Sequence, residues 1–268
     1  MNSEVGEIER GFVPSKQYIA YFDILGYEQK IRDHGGAVKL ANFLSGHIKH
    51  YKALVNQLNN TTLVLGDEAR KIDIKMKVFS DNFILCSTAN WKALATFVIY
   101  IQRGFVANNV FMRGSLCYGE LYFEDEFVCG QGIIDAYKIE NEVAIFPRIV
   151  IDDSYVKAAI CSRKLQKNNT ISENEAIQWV DKVSSYTVDF DGNKFLDYLK
   201  FEQQYYLDFK NDGYTNAAVK NLLNEHKKHI ISNISSTSNK RILQKYNWCK
   251  YYHNNFCKAY NYRKYSID

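Results

Sequence analysis

The sequence is poor in proline, and its cysteines do not fall at the spacing of a metal or redox motif. Only two of the 268 residues are proline. The six cysteines include no Cys-x-x-Cys pair and no cysteine–histidine grouping at zinc spacing, which argues against a structural zinc site. Since the start of the chain does not read as a signal peptide, this cysteine usage predicts reduced thiols in a cytoplasmic protein.

The chain also lacks a long hydrophobic run and a strong charge of one sign. The longest nearly apolar run, Ala93 to Ile101, is about half of the ~20 residues that a membrane span requires. Lysine and arginine together number 34 against 30 acidic residues, which leaves a net charge of +4. This balance does not indicate a polyanionic partner. We therefore expect neither a membrane nor a nucleic acid as a partner.

The chain has enough hydrophobic residues, 46%, to form a core. These residues follow patterns that predict a definite order of strands and helices. Aromatic and β-branched runs predict strands, and apolar residues three or four apart predict helices. In order these are a strand over 17–24, a helix over 37–58, a hairpin of 72–79 and 83–87, a helix over 91–105, strands over 110–118 and 120–127, a helix over 132–140 and a strand over 148–151. This order predicts an α+β fold with helices packed on a sheet.

The rest of the chain is mostly helical in pattern. We divide the sequence into a lead-in (1–16), a core (17–160) and a mostly helical C-terminal extension (161–268), in which 189–192 is predicted to be a turn before a helix over 195–209. The last segment, 240–264, mixes basic and aromatic residues at helical spacing. It is either a helix that packs its aromatic face on the body or a surface for single-stranded nucleic acid.

Two aspartates stand at predicted strand ends. Asp23 ends a hydrophobic strand, and Asp81 lies at the tip of the predicted hairpin. On adjacent strands the two carboxylates would converge, and a divalent cation such as Mg²⁺ or Mn²⁺ would relieve their repulsion. Isolated aspartates at such positions also serve as helix caps and turn formers, so spacing alone leaves both interpretations open.

The residues around these aspartates resemble a known family, the class III nucleotidyl cyclases. The segment Phe22-Asp-Ile-Leu-Gly-Tyr27 resembles the FxDIxGF signature of that family, and Asp81 matches the second aspartate, which lies in a hairpin turn. Further on, 113–120 (RGSLCYGE) resembles the RxGIxxGE strand, and 130–140 resembles the helix that follows it. The four segments occur in the family's order within residues 17–151.

The resemblance implies a ferredoxin-like (palm-type) sheet and a two-metal site. It implies that Asp23, Asp81 and the carbonyl of Ile24 hold two Mn²⁺ or Mg²⁺ ions. The substrate contacts that it implies are Phe22, Gly26, Tyr27 and Arg113, with Arg113 open to a second role as a structural residue at a strand end. Catalytic roles fall on Asp23, Asp81 and Lys138, and Lys138 would come from the second protomer of a homodimer with shared active sites.

The sequence departs from adenylyl cyclases at three positions. Ile134 stands where those enzymes have an asparagine, Lys138 where they have an arginine, and Phe127 where an acidic residue reads adenine. These departures resemble the bacterial pyrimidine cyclases of the Pycsar antiphage systems, whose tails also look like residues 189–198 and 245–253. The implied activity converts UTP or CTP to 3′,5′-cyclic UMP or cyclic CMP and pyrophosphate. A separate effector would sense this product in antiphage defence. The alternatives are a purine cyclase and an inactive, cyclase-like nucleotide-binding module.

Overall fold

The computed structural model describes residues 15–33, 37–65 and 68–268. Nearly all of the predicted lead-in lies outside these ranges. The described residues form an α+β structure, as predicted, in which helices pack on a mixed β-sheet. Within these ranges, no helix is both long enough and apolar enough to cross a membrane, and all six cysteines are free thiols.

The secondary structure elements are numbered in chain order. The strands are β1 (Ser15–Ile24), β2 (Thr62–Leu65), β3 (Glu68–Lys71), β4 (Lys75–Phe79), β5 (Asn82–Ser87), β6 (Met112–Phe123), β7 (Val128–Cys129), β8 (Ile149–Ile151), β9 (Tyr186–Val188) and β10 (Lys194–Leu196). The helices are α1 (Tyr27–Asp33), α2 (Ala37–Asn59), α3 (Trp91–Val106), α4 (Gln131–Glu142), α5 (Asp153–Gln166), α6 (Glu173–Val183), α7 (Tyr198–Phe209), α8 (Ala217–Ser236) and α9 (Lys240–Ala259).

The main sheet has the strand order β4-β5-β1-β6-β8-β10-β9, and β7 pairs with β6. All the neighbouring pairs are antiparallel except β6 and β8, which are parallel. Strands β2 and β3 form a separate hairpin. The sequence predicted the pairing of β4 with β5 through a turn, together with α2, α3 and α4, and these predictions are confirmed.

Strand β1 lies in the middle of the sheet and is buried on both of its faces. Tyr18, Ala20 and Phe22 belong to the large core, on the side where α3 contacts β1 and β5. Ile19 and Tyr21 belong to a second, smaller cluster, on the side that α4 covers. This burial explains why the strand reads as a continuous apolar run rather than as an alternating pattern. Since successive residues point to opposite faces, Asp23 follows Tyr21 on the α4 side.

The prediction of two strands over 110–118 and 120–127 is wrong, because one strand, β6, runs through Gly119. The predicted strands stop on either side of this glycine, which the structure uses for packing against α4. A Cβ atom on Gly119 would lie 2.9 Å from the Cα of Gly132. The two glycines allow the helix to approach the strand backbone closely.

The C-terminal extension contributes strands as well as helices. The turn at 189–192 joins β9 to β10, and it does not lead directly into a helix; α7 begins later, with Asp197 as its N-cap. Strand β10 pairs with β8, so the main sheet continues beyond residue 160. The short hairpin of β2 and β3 lies in a polar stretch for which no element was predicted.

Helix α9 buries the aromatic face that its sequence pattern predicted. Trp248, Tyr252 and Phe256 are each about 95% buried, and the indole N–H of Trp248 donates to Asp189 at 2.7 Å. Rings that are buried in this way are not free to stack on bases. The predicted packing of this aromatic face on the body is therefore confirmed, while Tyr251 on the same helix is 46% exposed.

Candidate active site

The site is built around Asp23, at the carboxyl end of β1. In the sheet register, Asp23 lies opposite Asn82 of β5 on one side and opposite Arg113 of β6 on the other. Its side chain is 18% exposed. A hydrophobic central strand therefore ends in a partly buried carboxylate that has a neighbour on each adjacent strand.

Asp81 lies beside Asp23, in the tight turn between β4 and β5. The register pairs Phe79 with Asn82, which leaves Ser80 and Asp81 as the two turn residues, and Ser80 has a positive φ of 55°. The backbone N–H of Ile24 donates to the carbonyl of Asp81 at 3.2 Å. This bond joins the hairpin tip to the end of β1.

The two carboxylates interact through their charges. Burial is the largest cause that raises the pKa of Asp23, and the neighbouring Asp81 raises it further, whereas Arg113 lowers it. The amide of Asn82 donates to Oδ1 of Asp81 at 3.3 Å. The structure thus places side by side the two aspartates that the sequence singled out.

Arg113 forms ion pairs with two acidic side chains. Its Nε lies 3.2 Å from Oδ1 of Asp23 and its Nη2 3.3 Å from Oδ2, while Nη2 also lies 2.6 Å from Oε1 of Glu140. These ion pairs fit a structural role for Arg113 at the strand end, and its contact with a phosphate stays a prediction. The guanidinium holds Asp23 and Glu140 in one cluster.

Glu140 is a member of the site that sequence reasoning missed. Its side chain is only 4% exposed, and α4 carries it on the face that also buries Ala136. Burial and the charge of Asp23 raise the pKa of Glu140 to about 7, although Arg113 and Lys245 lower it. The signal in the sequence was a glutamate four residues after Ala136, which places the two side chains on the same face of the predicted helix.

Lys245 is the second member that the sequence did not indicate, and it comes from the C-terminal extension. It lies on α9, where burial lowers its pKa, as do the charges of Arg113 and Arg241. Asp23 and Glu140 act in the opposite direction. No sequence signal connected this lysine with Asp23, because the two meet only through the tertiary structure.

A tyrosine completes the α4 side of the site. The hydroxyl of Tyr21 donates to Oδ1 of Asn82 at 2.6 Å, and its ring lies edge-on to Tyr137 of α4, with centroids 6.0 Å apart. Burial raises the pKa of Tyr21 to about 12, with Glu140 and Asp23 contributing. The phenol therefore stays protonated and acts as a hydrogen-bond donor near the two carboxylates.

Three of the other predicted site residues lie around this cluster. Gly26 forms an exposed turn after β1 with φ +69°, and a Cβ atom on it would meet no other atom within 4 Å. Tyr27 follows as the first residue of α1 and packs against the large core. Ile24 is buried.

The remaining two are not brought into the cluster. The ring of Phe22 is fully buried and stacks on Phe83, with centroids 5.1 Å apart. Lys138 is exposed on α4, whereas Ala136 and Glu140 are on its buried face. Within one chain, Lys138 therefore does not face Asp23.

The side-chain oxygens of the site can be compared with the ligands that a divalent cation requires. Across the described part of the chain, no three His, Cys, Asp or Glu side chains form a ready metal cluster. Asp23 and Asp81 nonetheless supply the hard oxygen ligands that Mg²⁺ and Mn²⁺ prefer, and their mutual repulsion is what a cation relieves. The residues fit such an ion, which would share Asp23 with Arg113.

Comparisons with known proteins do not identify the chain. The sequence matches no protein-family model, and no curated protein is significantly similar to it.

Proposed function

We propose that this protein is a nucleotidyl cyclase of the class III type that acts on a pyrimidine nucleoside triphosphate. The observation that supports the proposal best is the position of Asp23, at the end of β1, next to Asp81 in the turn between β4 and β5 and beside the exposed turn at Gly26. The pattern that resembles the cyclase signature therefore coincides with a cluster of acidic and basic side chains, a combination typical of phosphoryl-transfer sites.

The proposed reaction is an internal transfer on one substrate. The ribose 3′-oxygen attacks the α-phosphorus, its proton leaves to solvent, and the bond to the bridging oxygen breaks to release pyrophosphate. Asp23, Asp81 and the carbonyl of Ile24 would hold two Mg²⁺ or Mn²⁺ ions, which when bound neutralise the triphosphate and favour ionisation of the hydroxyl. The backbone N–H groups at Gly26 and Tyr27 would hold the terminal phosphates.

The preference for a pyrimidine rests on the departures from the purine-reading pattern. Phe127 and Ile134, which stand at family positions for polar contacts, are 45% and 47% exposed. Neither side chain offers a hydrogen bond to a base. In our proposal the product, cyclic UMP or cyclic CMP, is a second messenger in antiphage defence that a separate effector senses.

We further propose that the enzyme is a homodimer with shared active sites. Large apolar side chains near the site are exposed: Phe79, next to the aspartate turn, is 78% exposed, and Ile134 and Tyr137 on α4 are about half exposed. Exposed apolar groups of this kind favour a second protein surface. A second protomer would also supply Lys138, which in its own chain lies away from Asp23.

The test is an assay for cyclic products. Purified protein is incubated with Mn²⁺ and each of the four ribonucleoside triphosphates, and 3′,5′-cyclic nucleotides are measured by mass spectrometry. We expect cyclic UMP or cyclic CMP from the wild type. Asp81→Ala should lower turnover by at least about 10³-fold because it removes a metal ligand, while sedimentation still shows a folded dimer.

The matched control is Asp125→Ala, because Asp125 is an exposed aspartate in another bend; this variant should keep wild-type turnover. Formation of cyclic AMP or cyclic GMP alone would replace the pyrimidine assignment with the purine alternative. Nucleotide binding without any cyclic product would favour the inactive binding module, and full activity of Asp81→Ala would refute the proposed site.

A further inference from the structure

The first half of α9 is held against the strand ends that form the site. The ring of Tyr246 packs edge-on against Phe111, with centroids 5.6 Å apart. The carbonyl of Phe111 in turn accepts a hydrogen bond of 2.8 Å from the N–H of Leu25, the residue before Gly26. Two contacts therefore connect α9 to the turn at Gly26.

Lys245 precedes Tyr246 and is half-buried. Its charge interacts with those of Asp23, Glu140 and Arg113, so its ammonium group lies within electrostatic range of the cluster around Asp23 and does not touch it. Among the described residues, no hydrogen bond or ion pair within direct contact distance engages this ammonium group. A cation that loses part of its hydration without gaining a direct partner costs free energy.

Arg241 lies four residues earlier on the same side of α9, and its charge interacts with that of Lys245. Like charges at this helical spacing repel each other. Arg113 also repels Lys245, and the charges of Asp23 and Glu140 act in the opposite direction. An anionic ligand with several charges would relieve both the repulsion and the missing contacts of Lys245.

We propose that Lys245, assisted by Arg241, binds the polyphosphate of a nucleoside triphosphate within the same protomer. Helix α9 is then part of the substrate site, and the C-terminal extension does more than brace the core. This inference rests on the proposed function, since the substrate class comes from it. It assigns a role to the first residue of the segment 245–253, for which the resemblance to cyclase tails indicated none.

The probe is inorganic tripolyphosphate with Mg²⁺, and its binding to the full-length protein is measured by isothermal titration calorimetry. Lys245→Met keeps the length of the side chain and removes the charge, so we expect its affinity to fall at least tenfold. Lys245→Arg should bind within about threefold of the wild type, because it restores the charge. Lys258→Met, at the exposed far end of α9, is the control and should bind as the wild type does.

Circular dichroism and thermal denaturation establish whether each variant is folded. Arg241→Met changes an exposed residue and provides a second test, with an expected loss of about two- to fivefold. The proposal is overturned if folded Lys245→Met binds tripolyphosphate as the wild type does, or if Lys245→Arg is as weak as Lys245→Met.

Binding is measured without turnover, so the two proposals fail separately. A wild-type protein that binds tripolyphosphate through Lys245 but makes no cyclic nucleotide would contradict the cyclase assignment and keep the role of the lysine. If the wild type makes cyclic nucleotide and Lys245→Met keeps the wild-type affinity and turnover, the cyclase assignment stands and the role of Lys245 is refuted.

Discussion

At the scale of single residues, Glu140 and Asp23 share one guanidinium. Arg113 contacts both carboxyl groups, whereas Lys245 acts on Glu140 through its charge alone. These cations do not compensate for the hydration that the carboxyl groups lose on burial. The pKa of Glu140 is therefore raised to about 7 by burial and by the charge of Asp23. Protonation of Glu140 in the folded state removes a buried charge and its repulsion by Asp23.

This raised pKa makes folding stability depend on pH. Between the ordinary value of 4.5 and about 7, the folded protein retains a proton on Glu140 that the unfolded chain has lost. The contribution of this group is therefore fully present below pH 4.5 and is lost as the pH rises through about 7. Glu140→Gln removes this dependence. Between pH 4.5 and pH 8 the wild type should therefore lose about 2 kcal/mol more of its unfolding free energy than Glu140→Gln does.

Urea denaturation at several pH values, with EDTA present to remove divalent cations, measures this difference. Glu142→Gln, an exposed position at the end of the same helix, is the control for a carboxyl-to-amide change outside the cluster. If the difference between the wild type and Glu140→Gln is the same at pH 4.5 and pH 8, the assigned protonation of Glu140 is wrong.

At the scale of elements, the position of α4 is determined by its close contact with β6. The hydroxyl of Ser115 donates to the carbonyl of Ala136 at 2.8 Å, and the thiol of Cys117 lies 3.5 Å from the carbonyl of Gly132. Since α4 also carries Glu140, its distance from the sheet determines whether Glu140 reaches Arg113.

A methyl group at Gly132 tests this contact. Its Cβ would lie 2.4 Å from Cδ1 of Ile19, which is fully buried, and 3.0 Å from the carbonyl oxygen of Glu120. Crowding of this kind costs about 1–3 kcal/mol, against a gain of about 1 kcal/mol from replacing glycine in a helix. We expect Gly132→Ala to lower the unfolding free energy by up to about 2 kcal/mol, and to lower turnover because Glu140 moves.

Gly46→Ala is the matched control, because it makes the same change within α2 at an exposed position with no atom within 4 Å of the new Cβ. Its unfolding free energy should rise by about 0.5–1 kcal/mol. Chemical denaturation measures both variants. Equal stabilisation by the two substitutions would contradict the close contact between α4 and β6.

At the scale of the whole molecule, a buried histidine pair joins the C-terminal helices. Nδ1 of His226 on α8 and Nδ1 of His253 on α9 are 3.0 Å apart, and Nε2 of His253 lies 3.0 Å from the carbonyl of Tyr265. The Nε2–H of His253 therefore donates to that carbonyl, and the Nδ1–H of His226 donates to His253. The hydroxyl of Tyr198 on α7 donates to Nε2 of His226 at 2.9 Å.

This chain of hydrogen bonds requires both rings to be neutral. Burial is the largest cause of the lowered pKa of both rings. The pKa of His226 lies far below the ordinary value of 6.5, and that of His253 is also lowered. The unfolded chain binds protons at these rings below pH 6.5 and the folded protein does not, so stability is lost as the pH falls. Each histidine contributes a slope of up to about 1.4 kcal/mol per pH unit.

We expect His226→Gln to reduce this slope between pH 6.5 and pH 5 by about 1 kcal/mol per pH unit. Tyr198→Phe removes a hydrogen bond and leaves both histidines in place, so it should lower stability by about 1 kcal/mol with the wild-type slope. Thermal denaturation across this pH range compares the three proteins. Identical slopes in all three would show that the pair does not control acid stability.

The sequence predicted those parts of the fold and the site that depend on local patterns. Apolar periodicity was enough for α2, α3 and α9, and the turn at Ser80 followed from the polar residues between two strands. Asp23 and Asp81 were identified from their positions at a strand end and a hairpin turn together with the resemblance of the residues around them, and strand pairing brings them together. Gly119 was left between two predicted strands because the sequence does not distinguish a glycine at the end of a strand from one that allows a helix to pack closely on the strand.

Only the tertiary structure decided which distant side chains meet. Strands β9 and β10 are too short to give a clear pattern. Strand β10 forms by pairing with β8, and β9 forms by pairing with β10. Glu140 and Lys245 belong to the site because α4 and α9 bring them, half-buried or buried, next to Asp23 and Arg113. Charge interactions of this strength require loss of water, and burial depends on packing between distant segments. Local sequence therefore determined the elements and the aspartate pair, and long-range packing determined the charges that surround them.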